Sequence, residues 1–387
     1  MIPYGRQDIS QADIDAVVET LQSDFLTQGP AVERFEKALT DYCGAAFGVA
    51  ANSATSALHI ACLALGLGPG DLLWTSPITF VASANCGLYC GADVDFVDID
   101  PETFNLSPVA LERKLEAAHA AGRLPKVIVP VHMTGQSCDM AAIAALARRY
   151  GVRVIEDASH AIGGRYRDAP IGNCAFSDIT VFSFHPVKIV TTAEGGAAMT
   201  NDPALAERMR LFRSHGVTRD ERLMTRPADG PWYYQQIELG YNYRMTDLQA
   251  ALGVSQMNRV DDYVARRHAI ADRYDALLSG LPVKPPLRRT DGRSALHLYV
   301  IRLAAETLAA PGHRAVFEGL RARGVGVNLH YIPVHTQPYY EARGFAPGDF
   351  PEAEAYYAAA ISLPMFPTLG EADQVRVVDA LKEALAV

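Results

Sequence analysis

The sequence predicts an α/β protein: a mostly parallel sheet with helices on both faces, followed by a smaller α+β unit. Two observations carry the prediction. From about Asp41 to Thr200, short apolar runs alternate with stretches of helical periodicity, the pattern of successive βα units. Among those runs, VRVIEDAS has the apolar character of a strand buried in a parallel sheet.

The elements follow in order. SATSALHIACLALGL reads as a helix with Ala57, Ile60, Ala61 and Ala64 on one face, stopped by the Gly-Pro-Gly of residues 68–70. LLWTS is a strand, FVASANCGLYC a helix, VDFVDID a strand and PVALERKLEAAHAA a helix. KVIVPVH, DMAAIAALARRY and VRVIEDAS continue the alternation as strand, helix and strand. GGRYRDAPIG reads as a short hairpin, and ITVFSF and GAAMT add two more strands. A helical stretch from about Thr246 to Leu278 leads away to a second unit holding SALHLYVIRL, a helix near His313–Arg323, GVGVNLHYIPVH and a closing helix, GEADQVRVVDALKEALA. The expected division is residues 1–250 as an amino-terminal arm and large domain, and 251–387 as a linker helix and small α+β domain.

Composition narrows the function. A 387-residue chain, 49% hydrophobic and 20% charged, is long enough for a large core. Its net charge of -9 argues against nucleic acid and anionic membrane surfaces as partners. The six cysteines are scattered without a C-x-x-C pair, so neither a metal site nor a disulfide framework is expected. MIPYGRQDIS lacks a basic and apolar leader, and no segment approaches a membrane span, so a cytoplasmic location is expected.

Ligands in open α/β sheets bind beyond the carboxyl ends of the strands, and four groups are expected there. Asn52-Ser53-Ala54-Thr55-Ser56 opens a helix with hydroxyl residues, which suits a phosphate cradle as well as an ordinary N-cap. VIEDASH ends a buried strand with Asp157 and His160, and a carboxylate there needs a positive partner. Phe80 follows SPIT, where its ring could cap a flat ligand or fill the core. In SFHPVKIVTTAEGG, Lys188 sits between an apolar strand and Ile189-Val190, where desolvation lowers an amine's pKa and frees it as a nucleophile. An aldehyde-bonding lysine, a carboxylate for a ring nitrogen, a ring-stacking partner and a phosphate cradle together are the needs of pyridoxal phosphate.

NSATSALH, ITFVASAN, IEDASHAIG, SFHPVKIVTTAEGG, FRSHG and LGYNYRMTDLQAALG resemble the DegT-type sugar-nucleotide aminotransferases. The resemblance implies a homodimeric fold-type-I pyridoxal-phosphate enzyme whose large domain holds a mostly parallel, seven-stranded sheet. It implies Lys188 as Schiff-base lysine and proton shuttle, Asp157 as ring-nitrogen partner, Phe80 as stacking ring and His160 as a supporting contact. Thr55, Ser56 and Ser183 would hold the phosphate, with Asn242 reaching over from the partner subunit. Tyr4, Leu26, Thr27, Asn328, His330 and Tyr331 fall on the substrate side; Arg213 and Arg244 are candidates to anchor the donor carboxylate, with a structural role as the alternative for both.

IPYGRQ, SDFLTQGP, SFHPVK, SHGV and PWYYQQIELGYNYRM are similar to members acting in pseudaminic-acid synthesis. They imply amination by L-glutamate at C4 of a UDP-linked 2-acetamido-2,6-dideoxy-4-keto-hexose. Another UDP- or dTDP-linked keto-sugar is the alternative. Relatives with histidine in place of the lysine deoxygenate instead; here the position is Lys188, which favours transamination. A ligand-sensing homologue without catalysis would need a DNA-binding addition for which there is no spare length. A nicotinamide dehydrogenase would need G-x-G-x-x-G after the first strand, and none is present.

Overall fold

The computed structural model describes residues 1–385, so the last two residues of the expected small domain lie outside the described residues. The chain begins with α1 (Gln11–Leu21) and α2 (Pro30–Cys43), in the stretch read above only as an arm. Ser10 and Asp13 cap α1 reciprocally, each side chain accepting the other's backbone N–H. Ala31, Phe35, Leu39 and Cys43 form one buried row at four-residue spacing along α2, which explains that helix.

The alternation then runs β1 (Phe47–Ala51), α3 (Ala54–Ala64), β2 (Leu72–Thr75), α4 (Ala82–Tyr89), β3 (Asp93–Phe96), α5 (Pro108–Ala120), β4 (Val127–Val129), α6 (Met140–Tyr150) and β5 (Arg153–Asp157). The expected hairpin is β6 (Arg165–Tyr166) with β7 (Ala169–Pro170), after which come β8 (Ile179–Ser183), β9 (Gly196–Thr200) and α7 (Pro203–Arg213). α3 ends earlier than expected, at Ala64, because Gly66 takes a left-handed turn (φ +74°) before the Gly-Pro-Gly is reached.

The main sheet has seven strands in the order β1-β9-β8-β5-β4-β2-β3. It is mostly parallel; only β9 runs antiparallel, to both β1 and β8. Every residue of β8 and β9 is buried, as expected of strands covered on both faces. One core face packs against α2 and α8, the other against α3, α4 and α7.

A small ribbon, β10 (Val217–Thr218) and β11 (Gln235–Gln236), follows. The expected single helical stretch is two helices, α8 (Asp247–Met257) and α9 (Val260–Leu277), broken at Asn258-Arg259. Val260, Tyr263 and Val264 of α9 join the core of the main sheet, while Ile270, Ala271 and Tyr274 join a second core. That core surrounds a three-stranded antiparallel sheet of β12 (Val283–Lys284), β14 (Tyr299–Leu303) and β15 (Ala360–Leu363), whereas β13 (Gly292–Arg293) pairs back to β6. Helices α10 (Ala305–Ala309), α11 (His313–Ala322), α12 (Pro338–Glu341), α13 (Pro351–Ala359) and α14 (Glu371–Leu385) complete this half. GVGVNLHYIPVH forms no strand; it touches β15 through one bridge, Asn328 to Ser362. Ile2 bridges Val325 and is buried in the second core, so the first residues are bound to the carboxy-terminal half.

Candidate active site

A cavity of about 570 Å³ opens where β5, β8 and the start of α3 meet the segment carrying Asn328–Tyr331. It is lined by ten of the residues named from the sequence: Tyr4, Thr55, Phe80, Asp157, His160, Ser183, Lys188, Asn328, His330 and Tyr331. The main-sheet residues among them stand beyond carboxyl ends of strands, where a doubly wound sheet places its ligand.

Lys188 lies in the turn after β8, its backbone N–H donating to the His185 carbonyl at 2.9 Å. Burial pulls its ammonium down to about 8, against the upward pull of the Asp157 carboxylate. Asp157 ends β5 with 4% exposure and accepts hydrogen bonds from Ser83 Oγ at 2.6 Å and the Ser159 N–H at 3.0 Å. Ser83 Oγ in turn lies 2.7 Å from Thr79 Oγ1, a hydroxyl chain that orients the carboxylate.

The neighbouring acid has a different fate. Successive strand residues point to opposite faces, so Glu156 turns away from Asp157. It meets His132 Nε2 at 2.7 Å, Ser177 Oγ at 2.5 Å and Thr180 Oγ1 at 3.2 Å. Burial opposes its charge, but these hydrogen bonds outweigh burial and hold its carboxyl below the usual range. Glu156 is therefore committed to the fold.

At the start of α3, Ser53 caps the helix by accepting the Ser56 N–H at 3.1 Å. The hydroxyl of Ser56 is spent behind the wall, donating to Asn52 Oδ1 at 2.7 Å, so Ser53 and Thr55 line the cavity and Ser56 does not. The Glu-Gly-Gly tail of the lysine motif acquires a physical reason here. A Cβ on Gly196 would sit 2.4 Å from Ala54 N, so only glycine lets β9 pass the helix start this closely.

Phe80 is 59% exposed and faces the cavity, its ring 6.2 Å from that of Tyr331. Tyr331 O–H lies 3.1 Å from His160 Nε2, and His160 Nδ1 is buried without a partner. On the far side, Asn328 Oδ1 accepts the Leu329 N–H, which turns its amide nitrogen toward His330 Nε2 at 3.4 Å. His330 Nδ1 then donates to Ser362 Oγ at 2.8 Å. Burial, and then the Lys188 charge, push His330 down to about 3, so this imidazole is neutral. The Tyr4 ring stands 5.4 Å from it.

Besides Ser56, three further expected residues are absent from this wall. Leu26 and Thr27 are exposed, tied to the start of α8 through the Leu26 carbonyl and a Thr27–Thr246 bridge. Asn242 is also exposed and bridges Ser214. Of the two readings left open for Arg213 the structure favours the structural one: its Nη1 is held by Glu36 Oε1 at 2.6 Å and the Ala50 carbonyl at 2.7 Å. Sequence reasoning had Ser53 within the candidate cradle but missed Ser83, His185, Glu194 and His297 on the lining. Ser83 was within reach, since a hydroxyl four residues after Thr79 on one helix start shares its face. His297 gave no signal, because it arrives from the second half of the chain.

The donor set fits pyridoxal phosphate. It offers an amine poised near neutrality, a buried carboxylate, an exposed aromatic ring and hydroxyls at a helix start in one chamber. The fold is that of the fold-type-I pyridoxal-phosphate transferases. The chain belongs to the DegT/DnrJ/EryC1/StrS aminotransferase family, which matches residues 7–382.

It is 40% identical over 384 residues to the spore coat polysaccharide biosynthesis protein SpsC of Bacillus subtilis, covering 99% of this chain and 96% of that one. It is 37% identical to the UDP-4-amino-4,6-dideoxy-N-acetyl-beta-L-altrosamine transaminase of Campylobacter jejuni, covering 98% and 96%. Identity to the GDP-perosamine synthase of Caulobacter vibrioides is 38%, covering 96% and 95%. Among solved structures, Helicobacter pylori PseC, described as an aminotransferase of pseudoaminic acid biosynthesis, superposes with a TM-score of 0.90 at 31% identity, covering 100% and 99%. The PLP-form of the putative sugar aminotransferase Spr1654 from Streptococcus pneumoniae gives 0.88 at 28% identity, covering 100% and 98%.

Proposed function

We propose that this sugar aminotransferase uses pyridoxal phosphate to move the amino group of L-glutamate to C4 of a UDP-linked 2-acetamido-2,6-dideoxy-4-keto-hexose. The observation that carries the amine-transfer part is Lys188, desolvated to about 8 in the same cavity as the buried Asp157. The sugar is supported by the similarity to the altrosamine transaminase and to PseC. The similarity to GDP-perosamine synthase supports a second reading, another nucleotide-linked keto-sugar.

Pyridoxal phosphate, when bound, supplies a ring that accepts the electron pair left on the donor's α-carbon as that carbon loses its proton. Lys188 would hold the cofactor, and its Nζ would carry the proton from the donor's α-carbon to the cofactor's aldehyde carbon, the shift that transamination requires. Asp157 would keep a proton on the ring nitrogen, and the Ser83 and Ser159 bonds keep that carboxylate aimed. Ser53, Thr55 and Ser183, which line the cavity, would hold the phosphate together with the N–H groups at the start of α3. Phe80 would cover a ring face against water, while neutral His330, Asn328 and Tyr4 would orient the substrate by hydrogen bonding without adding charge.

Leu26, Thr27 and Asn242 belong, in this reading, to the site of a second copy in a homodimer. Their exposure and their absence from the lining of the chain's own cavity support it. Arg244 keeps its candidacy as donor anchor, since it forms no ion pair among the described residues. The division at about residue 250, with α9 joining two cores, and a cytoplasmic site of action complete the proposal.

The test is incubation with 15N-labelled L-glutamate and a panel of UDP-, dTDP- and GDP-linked keto-sugars, read by product NMR. Label at C4 of the UDP-linked N-acetyl sugar supports the proposal. Label on a different nucleotide sugar alone replaces it with the second reading.

A further inference from the structure

The first residues of the chain are held at two places, one on each half of the molecule. At the first, the Ile2 N–H donates to the Gly324 carbonyl at 2.8 Å and the Ile2 carbonyl accepts the Gly326 N–H at 2.7 Å. The Tyr4 carbonyl accepts the Met365 N–H at 2.9 Å, and the Ile2 side chain is buried in the second core. A Cβ on Gly326 would lie 2.8 Å from the Ile2 carbonyl oxygen, so glycine admits the segment here.

The second place is the break between α8 and α9. There the Asp8 carbonyl accepts Gln256 Nε2 at 2.8 Å and the Tyr263 O–H at 3.3 Å. Arg259, at the break itself, joins the carboxylates of Asp8 (3.3 Å) and Asp13 through its two terminal nitrogens. Asp13 is fully buried and also accepts Gln256 Nε2 at 2.8 Å. A buried carboxylate needs such partners, which makes the Arg259 fork an anchor and not a surface ion pair.

Between the two anchors, Gly5, Arg6 and Gln7 form no hydrogen bond among the described residues, and Arg6 and Gln7 are exposed. Tyr4 and Val187 line the cavity, and a Cβ on Gly5 would stand 3.6 Å from the Cβ of Val187, the residue before Lys188. The span therefore passes the cavity with nothing of its own to fix it, and its order depends on its two ends. One end shares a core with Val325 and Val327, just before Asn328, His330 and Tyr331. The other is tied to Tyr263, which shares the core of the main sheet with Ile189 and Val190, next to Lys188.

We propose that Arg259, which is not on the cavity wall, is a positioning residue: by anchoring Asp8 and Asp13 it holds residues 1–8 as a strap between the two halves, and so sets where Tyr4 stands relative to Lys188. The kinetic part rests on the cavity being the sugar site, but the first test needs no substrate. Arg6, exposed in the middle of the unbonded span, is a trypsin site. In the full chain loaded with pyridoxal phosphate, cleavage after Arg6 should be slow because both ends are held. Arg259→Gln should speed that cleavage about tenfold and leave the other tryptic sites as they were, since only the strap is released. Arg259→Lys keeps the charge without the fork and should fall between the two. Ile2→Ala loosens the opposite end and should also speed cleavage, and the double variant should fall short of the product of the two effects. With a keto-sugar, Arg259→Gln should raise the sugar KM about tenfold with little change in kcat, and borohydride labelling of Lys188 should be unaltered.

Cleavage after Arg6 that is already fast in the native protein, or unchanged in Arg259→Gln, overturns the proposal. So does faster cleavage at every site alike, the mark of a loosened fold. Should Arg259→Gln fail to fold, Asp8→Ala removes only the more exposed of the two carboxylates and should still speed cleavage after Arg6; no change there overturns the proposal equally. A released strap with an unaltered sugar KM overturns the positioning role. If the native protein turns over none of the sugars tested, the proteolysis still decides the strap, which separates this proposal from the assignment of substrate.

Discussion

Ser83 Oγ donates to Asp157 Oδ2 at 2.6 Å, and this bond joins the first turn of α4 to the end of β5 across the floor of the cavity. The carboxylate is thereby aimed by a residue 74 positions away in sequence. Replacing Asp157 with alanine should lower turnover by orders of magnitude, since the ring nitrogen loses its counter-charge. Ser83→Ala should cost less, about tenfold in kcat, because the carboxylate keeps its charge and the Ser159 N–H. Steady-state kinetics with saturating cofactor checks both; a serine variant as damaged as the aspartate variant contradicts this ordering.

Lys188 should titrate far below an ordinary lysine. Its Nζ is protonated below about 8 and free above it, so labelling of Lys188 by an amine reagent in cofactor-free protein should rise through that pH and level off. The Asp157 carboxylate pulls the value upward, so Asp157→Asn should move the midpoint lower. Peptide mass spectrometry across a pH series reads the midpoint. A midpoint near the ordinary lysine value, or one that rises in the Asn variant, contradicts the desolvated site.

Glu156 should matter to stability where Asp157 matters to rate. Glu156→Ala strands His132, Ser177 and Thr180 without their shared acceptor, and should destabilise the fold by about 3–5 kcal/mol. Denaturant unfolding measures this. A loss below about 1 kcal/mol would show that the buried pair is dispensable.

The shared site of a homodimer can be tested by complementation. Lys188→Ala and Asn242→Asp should each be inactive, the second because it sets a negative charge against the cofactor phosphate. Mixed under subunit exchange, the two should regain about a quarter of native activity, since a mixed dimer holds one site with both lesions and one with neither. Exchange without recovery would return Asn242 to its own subunit.

Much of this was legible in the sequence because βα alternation and the lysine motif are local. Asp157, Lys188 and Phe80 each stand at the end or just beyond the end of an element whose pattern is unmistakable, and they line one cavity. What escaped depended on distance. Nothing near SALHLYVIRL says that His297 meets His160, because the buried Arg267 and a close crossing at Gly135 bring them together. Ser56 was misplaced because neighbouring hydroxyls on one helix turn point in different directions, and the sequence does not say which faces inward. GVGVNLHYIPVH has a strand's composition, but its polar side chains are bonded to Ser362, Leu329 and His160 around the cavity rather than set in a ladder.

The central claim is that Lys188 is the residue through which this chain holds its cofactor and moves its protons. Borohydride reduction of the protein loaded with pyridoxal phosphate, followed by digestion and mass spectrometry, tests it most directly. One modified peptide is expected, carrying the reduced cofactor on Lys188, with loss of that mass when glutamate is added before reduction. Modification of another lysine in its place, or a Lys188→Ala variant that still turns over repeatedly without added amine, would contradict it.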